Sequence, residues 1–183
     1  MGLIITIVIL VFVGLFIFMQ YNKIVRLKVE AEETSSNIDI QLKRRSDLIP
    51  NLVNTVKGYA KHEEETFTKI TQLRQQMMNP NSSMNDKMEA NNQLTNTMTH
   101  LFAVAENYPE LKANTNFLNL QEELTNTENK VSYSRSAYNS CVTNYNTAIT
   151  MFPGNIFAKM FHFEKKEFIK IAEAEREVPK VEF

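Results

Sequence analysis

The sequence predicts an all-α protein: an N-terminal transmembrane helix followed by an antiparallel bundle of three to four long helices. Three observations carry that prediction. Residues Leu3 to Met19 form an apolar run, LIITIVILVFVGLFIFM, with no charge in it or ahead of it. Only four glycines occur in 183 residues, and Gly2 and Gly14 belong to the anchor, so turns for a multi-stranded sheet are scarce. Beyond the anchor, apolar residues recur by threes and fours over long stretches, the spacing of one helix face.

The apolar run rises roughly 25 Å as a helix, the short end of what crosses a hydrocarbon core, and Gln20 and Tyr21 suit the interface. A cleaved signal peptide would need a basic start and a small-residue cleavage site, and the run has neither. A buried core helix would show a polar edge. The start Met1-Gly2-Leu3-Ile4-Ile5-Thr6 fits a myristoylation pattern, but an acyl chain ahead of a spanning helix adds little anchoring. Lys23, Arg26 and Lys28 follow the span at once, with Lys43, Arg44 and Arg45 beyond. By the positive-inside rule the N-terminus lies outside and the bundle in the cytoplasm of a single-pass cell-membrane protein.

The organisation expected is an anchor over 1–20, a helical stalk over 21–36, a bundle over 37–174 and a mobile tail over 175–183. In the first helix Ile38, Leu42, Ile49, Leu52, Val56, Tyr59, Phe67, Ile70, Leu73 and Met77 keep helical spacing, and Pro50 predicts a kink or a break. Asn79-Pro80-Asn81-Ser82-Ser83 is a loop of turn formers. A second helix spans about Met84 to Glu106. Asn107-Tyr108-Pro109-Glu110 reads as the cap of a third, running from about Pro109 to Phe152. Pro153-Gly154-Asn155 ends it. A Phe-rich fourth helix, about Asn155 to Ala174, either packs on the open end of the bundle or lies on an anionic bilayer, and packing is favoured.

Composition excludes several chemistries. A net charge of -1 points to no nucleic acid, and Cys141, the only cysteine, rules out an intramolecular disulfide framework. Too few glycines remain for a phosphate-cradling loop, and no cofactor or small-molecule substrate is indicated. His62-Glu63-Glu64-Glu65-Thr66 starts like a zinc-protease helix but carries threonine where the second histidine belongs. More informative are charges on apolar stripes: Arg45 with Glu63 in the first helix, Glu128 with Arg135 in the third. Unpaired burial would cost several kcal/mol, so they are expected to meet partners across the bundle, as structural ion pairs before a functional polar seam. Tyr138-Asn139 recurs seven residues on as Tyr145-Asn146, which places the pairs on one face as a core ladder.

The run Gln41 to Val53 contains Arg45, Asp47, Pro50 and Asn51. With Thr55 to Ala60 and His62-Glu63, it resembles the signature of the LemA family of bacterial membrane proteins. Ala105 to Ala113, Glu128-Asn129 with Arg135, Tyr138 and Asn139, and Tyr145-Asn146 ahead of Phe152-Pro153 agree in order. The resemblance covers about Tyr21 to Phe163. It implies a single-pass membrane protein with a helical bundle and brings no established reaction, and some relatives are linked to building or shaping internal membranes.

The function expected is therefore non-enzymatic. The chain reads as a membrane-anchored interaction module whose partners are the lipid bilayer and either copies of itself or other membrane proteins. The alternative is an accessory subunit of a membrane enzyme such as a protease complex. An enzyme working through Arg45, Glu63, Glu128 and Arg135 is the third class.

Overall fold

The computed structural model describes residues 1–60 and 62–170, so the tail over 175–183 and the end of the expected fourth helix lie outside the described residues. Six helices and no strand occur among them. These are α1 (Gly2–Lys57), α2 (Glu64–Met77), α3 (Met84–Ala105), α4 (Pro109–Lys112), α5 (Thr115–Thr150) and α6 (Gly154–Met160). The chain forms two compact units. One holds residues 1–36 and 134–168; the other holds 37–133 with Ile169 and Lys170.

In the first unit the start of α1 is bare: its apolar window, of mean hydropathy 3.1, has no buried residue. Packing begins within the last turn of the apolar run, at Phe16 and Ile17. Ile24, Tyr145, Ile149, Phe157 and Ala158 form a buried cluster, and Ile17, Leu27 and Phe163 pack on it. In the second unit the predicted stripe of α1 is buried at Ile38, Leu42, Ile49, Leu52 and Val56, and α2 buries Phe67, Ile70, Leu73 and Met77. Tyr59 is the exception: it stays exposed and its hydroxyl accepts from Asn114 Nδ2 at 3.2 Å. From α3 come Met88, Leu94, Met98 and Leu101, and from α5 Phe117, Leu124 and Val131. Phe102 and Phe117 meet edge to face at 5.9 Å.

Several boundaries differ from expectation, each for a local reason. Of the kink or break expected at Pro50, no break occurs, and α1 continues to Lys57. Proline at that position cannot donate to the carbonyl four residues back, that of Ser46. Arg74 of α2 supplies the missing donor: its Nε lies 2.9 Å from the Ser46 carbonyl oxygen and 3.1 Å from Ser46 Oγ. The chain instead breaks between Lys57 and Glu64, so the expected register of Arg45 with Glu63 does not carry across. Ser83 starts α3 with a reciprocal capping box to Asp86.

The expected third helix is divided. Pro109 opens the one-turn α4, whose capping residue Tyr108 makes no side-chain cap. Asn114 then caps α5, accepting from the amides of Asn116 at 3.0 Å and Phe117 at 3.1 Å. The cap is thus Asn114 and not Asn107. The fourth helix is short as well. His162 takes φ 56, the left-handed region, and the Phe163 amide donates to the Ala158 carbonyl at 2.9 Å. That six-to-one bond with a left-handed residue before its donor is a Schellman stop, here built on histidine where glycine is usual. Residues 163–170 continue without helix.

Arg74→Ala is expected to cost the detergent-solubilised chain about 1.5–3 kcal/mol, the range for a charged donor to an otherwise orphaned acceptor. In a Pro50→Ala background the restored amide reaches Ser46 itself, and the same substitution should cost less than half as much. Urea unfolding of the four proteins measures the coupling; equal costs in both backgrounds would overturn the repair.

Candidate functional site

In the second unit the charges singled out by the sequence converge in part. Arg45 on α1 is 1% exposed. Its Nη1 donates to Asn91 Oδ1 at 2.6 Å and its Nη2 to Thr95 Oγ1 at 3.0 Å. The same Nη1 forms an ion pair with Glu128 Oε2 of α5, and Asn91 Nδ2 donates to that oxygen at 3.3 Å. Arg45 Nε is buried without a hydrogen-bond partner. Burial lowers the guanidinium pKa to about 10, so the group stays charged at neutral pH while its environment opposes the charge. A cavity of about 190 Å³ opens beside it, lined by Thr95, Phe102, Leu124 and Glu128 among others.

This cluster joins α1, α3 and α5 through one guanidinium whose terminal nitrogens face protein acceptors. Such an arrangement holds register between the three helices. Asn91 and Thr95 were not singled out in the sequence, although Asn91 lies in helical step between Met88 and Leu94. A polar residue at a core position of the stripe was the available signal. Of the other candidates, Glu63, Asp47 and Asn51 belong to the same unit. Glu63 is the residue before α2, half-buried and making no side-chain cap. Asp47 pairs with Lys43 one turn back at the surface. Asn51 is exposed and lines a shallow amide-rich groove with Asn54, Asn116 and Asn119. Arg135 is buried in the first unit. Among the described residues no three of His, Cys, Asp and Glu group as metal ligands.

The first unit gives the tyrosine–asparagine repeat a different task from a ladder within the core. Tyr145 Oη donates to the Glu164 carbonyl at 2.9 Å, and Tyr138 Oη to the Glu167 carbonyl at 3.1 Å. Between them Asn146 makes a two-way bond with Lys166, its Nδ2 donating to the carbonyl at 2.9 Å and its Oδ1 accepting from the amide at 3.0 Å. Seven-residue spacing on α5 therefore clasps the non-helical segment after α6 by its backbone, which satisfies polar groups that no helix or sheet provides for. Asn139, half-buried beside Tyr138, completes the repeat. The Lys166 ammonium also reaches Glu32 at 3.1 Å.

An aromatic collar surrounds the point where α1 leaves its apolar run. Tyr21 meets the Phe161 ring at 4.8 Å and the Phe163 ring at 5.8 Å, and Phe16 meets Phe157 edge to face at 6.0 Å. The turn into α6 admits only glycine at 154, where a Cβ would stand 1.9 Å from the Ala148 carbonyl oxygen. Packing of the Phe-rich segment is only partial. Phe157 and Ala158 are buried, while Ile156, Met160 and Phe161 are exposed.

Glu128→Ala is expected to cost about 3–5 kcal/mol, because it strands a guanidinium with 1% of its side chain exposed. Arg45→Met should cost clearly less, since the stranded Glu128 side chain is 27% exposed and can be hydrated. Urea unfolding ranks the two, and the reverse order would refute the asymmetry. For the clasp, burial is the first cause raising the pKa of both Tyr138 and Tyr145, with Glu167 adding at the former and Glu32 and Glu164 at the latter. The folded state thus keeps these protons to higher pH than the unfolded chain. Their stabilisation is complete below the ordinary value of 10.0 and is lost as pH rises through the raised values. Hydrogen exchange of the Lys166 amide should accelerate over that alkaline window, and Tyr145→Phe should accelerate it already at neutral pH.

The model of the LemA family matches residues 34–183. The chain is 28% identical to Protein LemA of Metamycoplasma hominis, over 90% of this chain and 76% of that one. It is 22% identical to Magnetosome protein MamQ of Magnetospirillum gryphiswaldense, over 83% of this chain and 65% of that one. Magnetosome protein MamQ 2 of Paramagnetospirillum magneticum is also 22% identical, over 84% and 66%. The chain thus spans about two thirds of the length of the MamQ relatives. The family match takes in the Arg45–Glu128 cluster and the tyrosine–asparagine clasp, and the apolar start of α1 provides a membrane anchor. The chain is a membrane-associated helical protein, and it belongs to the LemA family.

Proposed function

We propose that this protein is a membrane-anchored helical scaffold, without catalytic activity of its own, that associates with copies of itself or with other membrane proteins and organises the membrane that holds it. The observation that carries this reading is the use made of its polar groups. Arg45 and Glu128 hold each other together with Asn91 and Thr95, and the hydroxyls of Tyr138 and Tyr145 hold a backbone segment. These groups maintain the arrangement of helices and are not poised toward a substrate. Relatives named as magnetosome proteins favour a role at a membrane. Lys23, Arg26 and Lys28 immediately after the span favour a cytoplasmic position for the domain.

Mild crosslinking in native membranes, read by mass spectrometry, is expected to yield covalent multimers of this chain. A strictly monomeric chain touching no other protein would overturn the scaffold reading, and capture of one membrane enzyme in fixed ratio would make it an accessory subunit. Protease added outside intact protoplasts is expected to leave residues 20–183 whole. Digestion down to a membrane stub would reverse the orientation.

A further inference from the structure

The first unit carries an exposed apolar face whose height against the bilayer is set by a ring contact. Phe16 belongs to the run Leu3–Met19 and lies three residues short of its end, about 4.5 Å of helix rise. Side chains lean toward the N-terminus of their helix, which places its ring no higher than that level. Phe157 of α6 packs edge to face on this ring at 6.0 Å. Ile17, one residue on, packs on the same cluster. α6 therefore reaches below the upper end of the apolar run.

Phe157 and Ala158 are covered by protein, but their neighbours are not. Phe152 is 80% exposed, Ile156 54% and Met160 50%. Large apolar side chains grouped in this way on a water-facing surface are uncommon. Their surroundings have the composition of a membrane boundary. Tyr21 rings with Phe161 and Phe163 just past the end of the run, the place where amphipathic aromatics accumulate on spanning helices, and Lys23 and Lys159 are exposed.

We propose that the turn from Met151 and α6 lie in the headgroup–acyl boundary of the leaflet from which α1 emerges, with Phe152, Ile156 and Met160 among the acyl chains. The occupant of this face is lipid because the face is continuous with a span whose own surface is bare over most of its length. The inferred depth of about 5 Å matches the roughly 5–10 Å at which interfacial helices lie. The exposed lysines suit anionic headgroups. The protein then grips the membrane twice, by a span through both leaflets and by a wedge in one. The wedge rests on the anchor and not on self-association, and it gives the scaffold reading a direct means of acting on lipid packing.

The chain has no tryptophan, so single-tryptophan variants report cleanly. Phe152→Trp and Ile156→Trp replace exposed side chains. Val29→Trp, also at an exposed position, stands ten residues beyond Met19, about 15 Å along α1. The full chain is reconstituted in phosphatidylcholine–phosphatidylglycerol vesicles with and without brominated acyl chains. The first two variants are expected to lose roughly half or more of their emission to brominated lipid and to resist aqueous iodide, while Val29→Trp shows the reverse. Iodide quenching of Phe152→Trp and Ile156→Trp as strong as that of Val29→Trp would place the face in water and overturn the proposal. Shielding of both from iodide and bromine alike would put a protein partner there and overturn it too. Crosslinking, which tests the scaffold reading, does not depend on either result.

Discussion

Helix α1 has to serve two solvents within one uninterrupted stretch of backbone, and the arrangement of the other elements follows from that constraint. Over Leu3–Met19 the side chains are apolar but for Thr6, whose hydroxyl donates to the Gly2 carbonyl at 3.1 Å, and lipid suits every face that α6 leaves open. From Ile24 onward water takes over, and only one face can remain apolar: Ile24, Ala31, Ile38, Leu42 and Ile49 are buried while Lys28, Glu32, Lys43 and Arg44 face outward. A helix of this kind does not hold itself in water, because isolated helices gain too little per residue to offset the entropy of ordering. Its apolar stripe must be covered by the chain that follows, and the end of α5 with α6 in one unit and α2, α3 and the start of α5 in the other do this.

Covering such a stripe creates polar problems, and the structure meets each with a side chain from elsewhere. Pro50 leaves the Ser46 carbonyl without its usual amide, and Arg74 donates to it across from α2. The non-helical segment after His162 has no sheet or helix to receive its backbone groups, and Tyr138, Tyr145 and Asn146 receive them. An orphaned buried carbonyl costs about 1–3 kcal/mol, so each repair is of a size that decides between a continuous element and a broken one.

These repairs also mark where the sequence was legible and where it was not. The apolar run, the stripes of α1, α2, α3 and α5, and the stop at Pro153-Gly154 are local patterns, and periodicity reads them directly. The continuity of α1 through Pro50 depends on Arg74, twenty-four residues further on, and no local rule reaches that far. The end of α6 was hidden because the left-handed residue is His162, where a glycine would have announced a stop. Asn107 and Asn114 are chemically equal as caps, and only tertiary packing selects the second. In the candidate site, Arg45 and Glu128 were visible as charges on apolar stripes. Their pairing was not, because the distance in sequence between α1 and α5 carries no register information. The clasp was half visible: the seven-residue repeat placed Tyr138 and Tyr145 on one face, but the segment it holds has no pattern of its own.

The Arg45–Glu128 pair answers the register question that the apolar stripes leave open. Phe117, Leu124 and Val131 of α5 are buried at seven-residue intervals, so sliding α5 by two turns would lay similar apolar volume on the same neighbours. Hydrophobic burial alone separates those alignments poorly. The ion pair separates them sharply: a slide of seven residues puts Gln121 or Arg135 in the position of Glu128. The first leaves the Arg45 guanidinium buried without a counter-charge, and the second sets two guanidinium groups together. Either costs several kcal/mol where the native pairing is compensated. A pKa of about 10 keeps Arg45 charged throughout the neutral range, so this discrimination does not fade with ordinary changes of pH. The lowered value is the sign that burial works against the charge. A group retained in an environment that opposes it, and matched by Glu128, Asn91 and Thr95, is one whose contribution lies in specifying the alignment more than in adding stability.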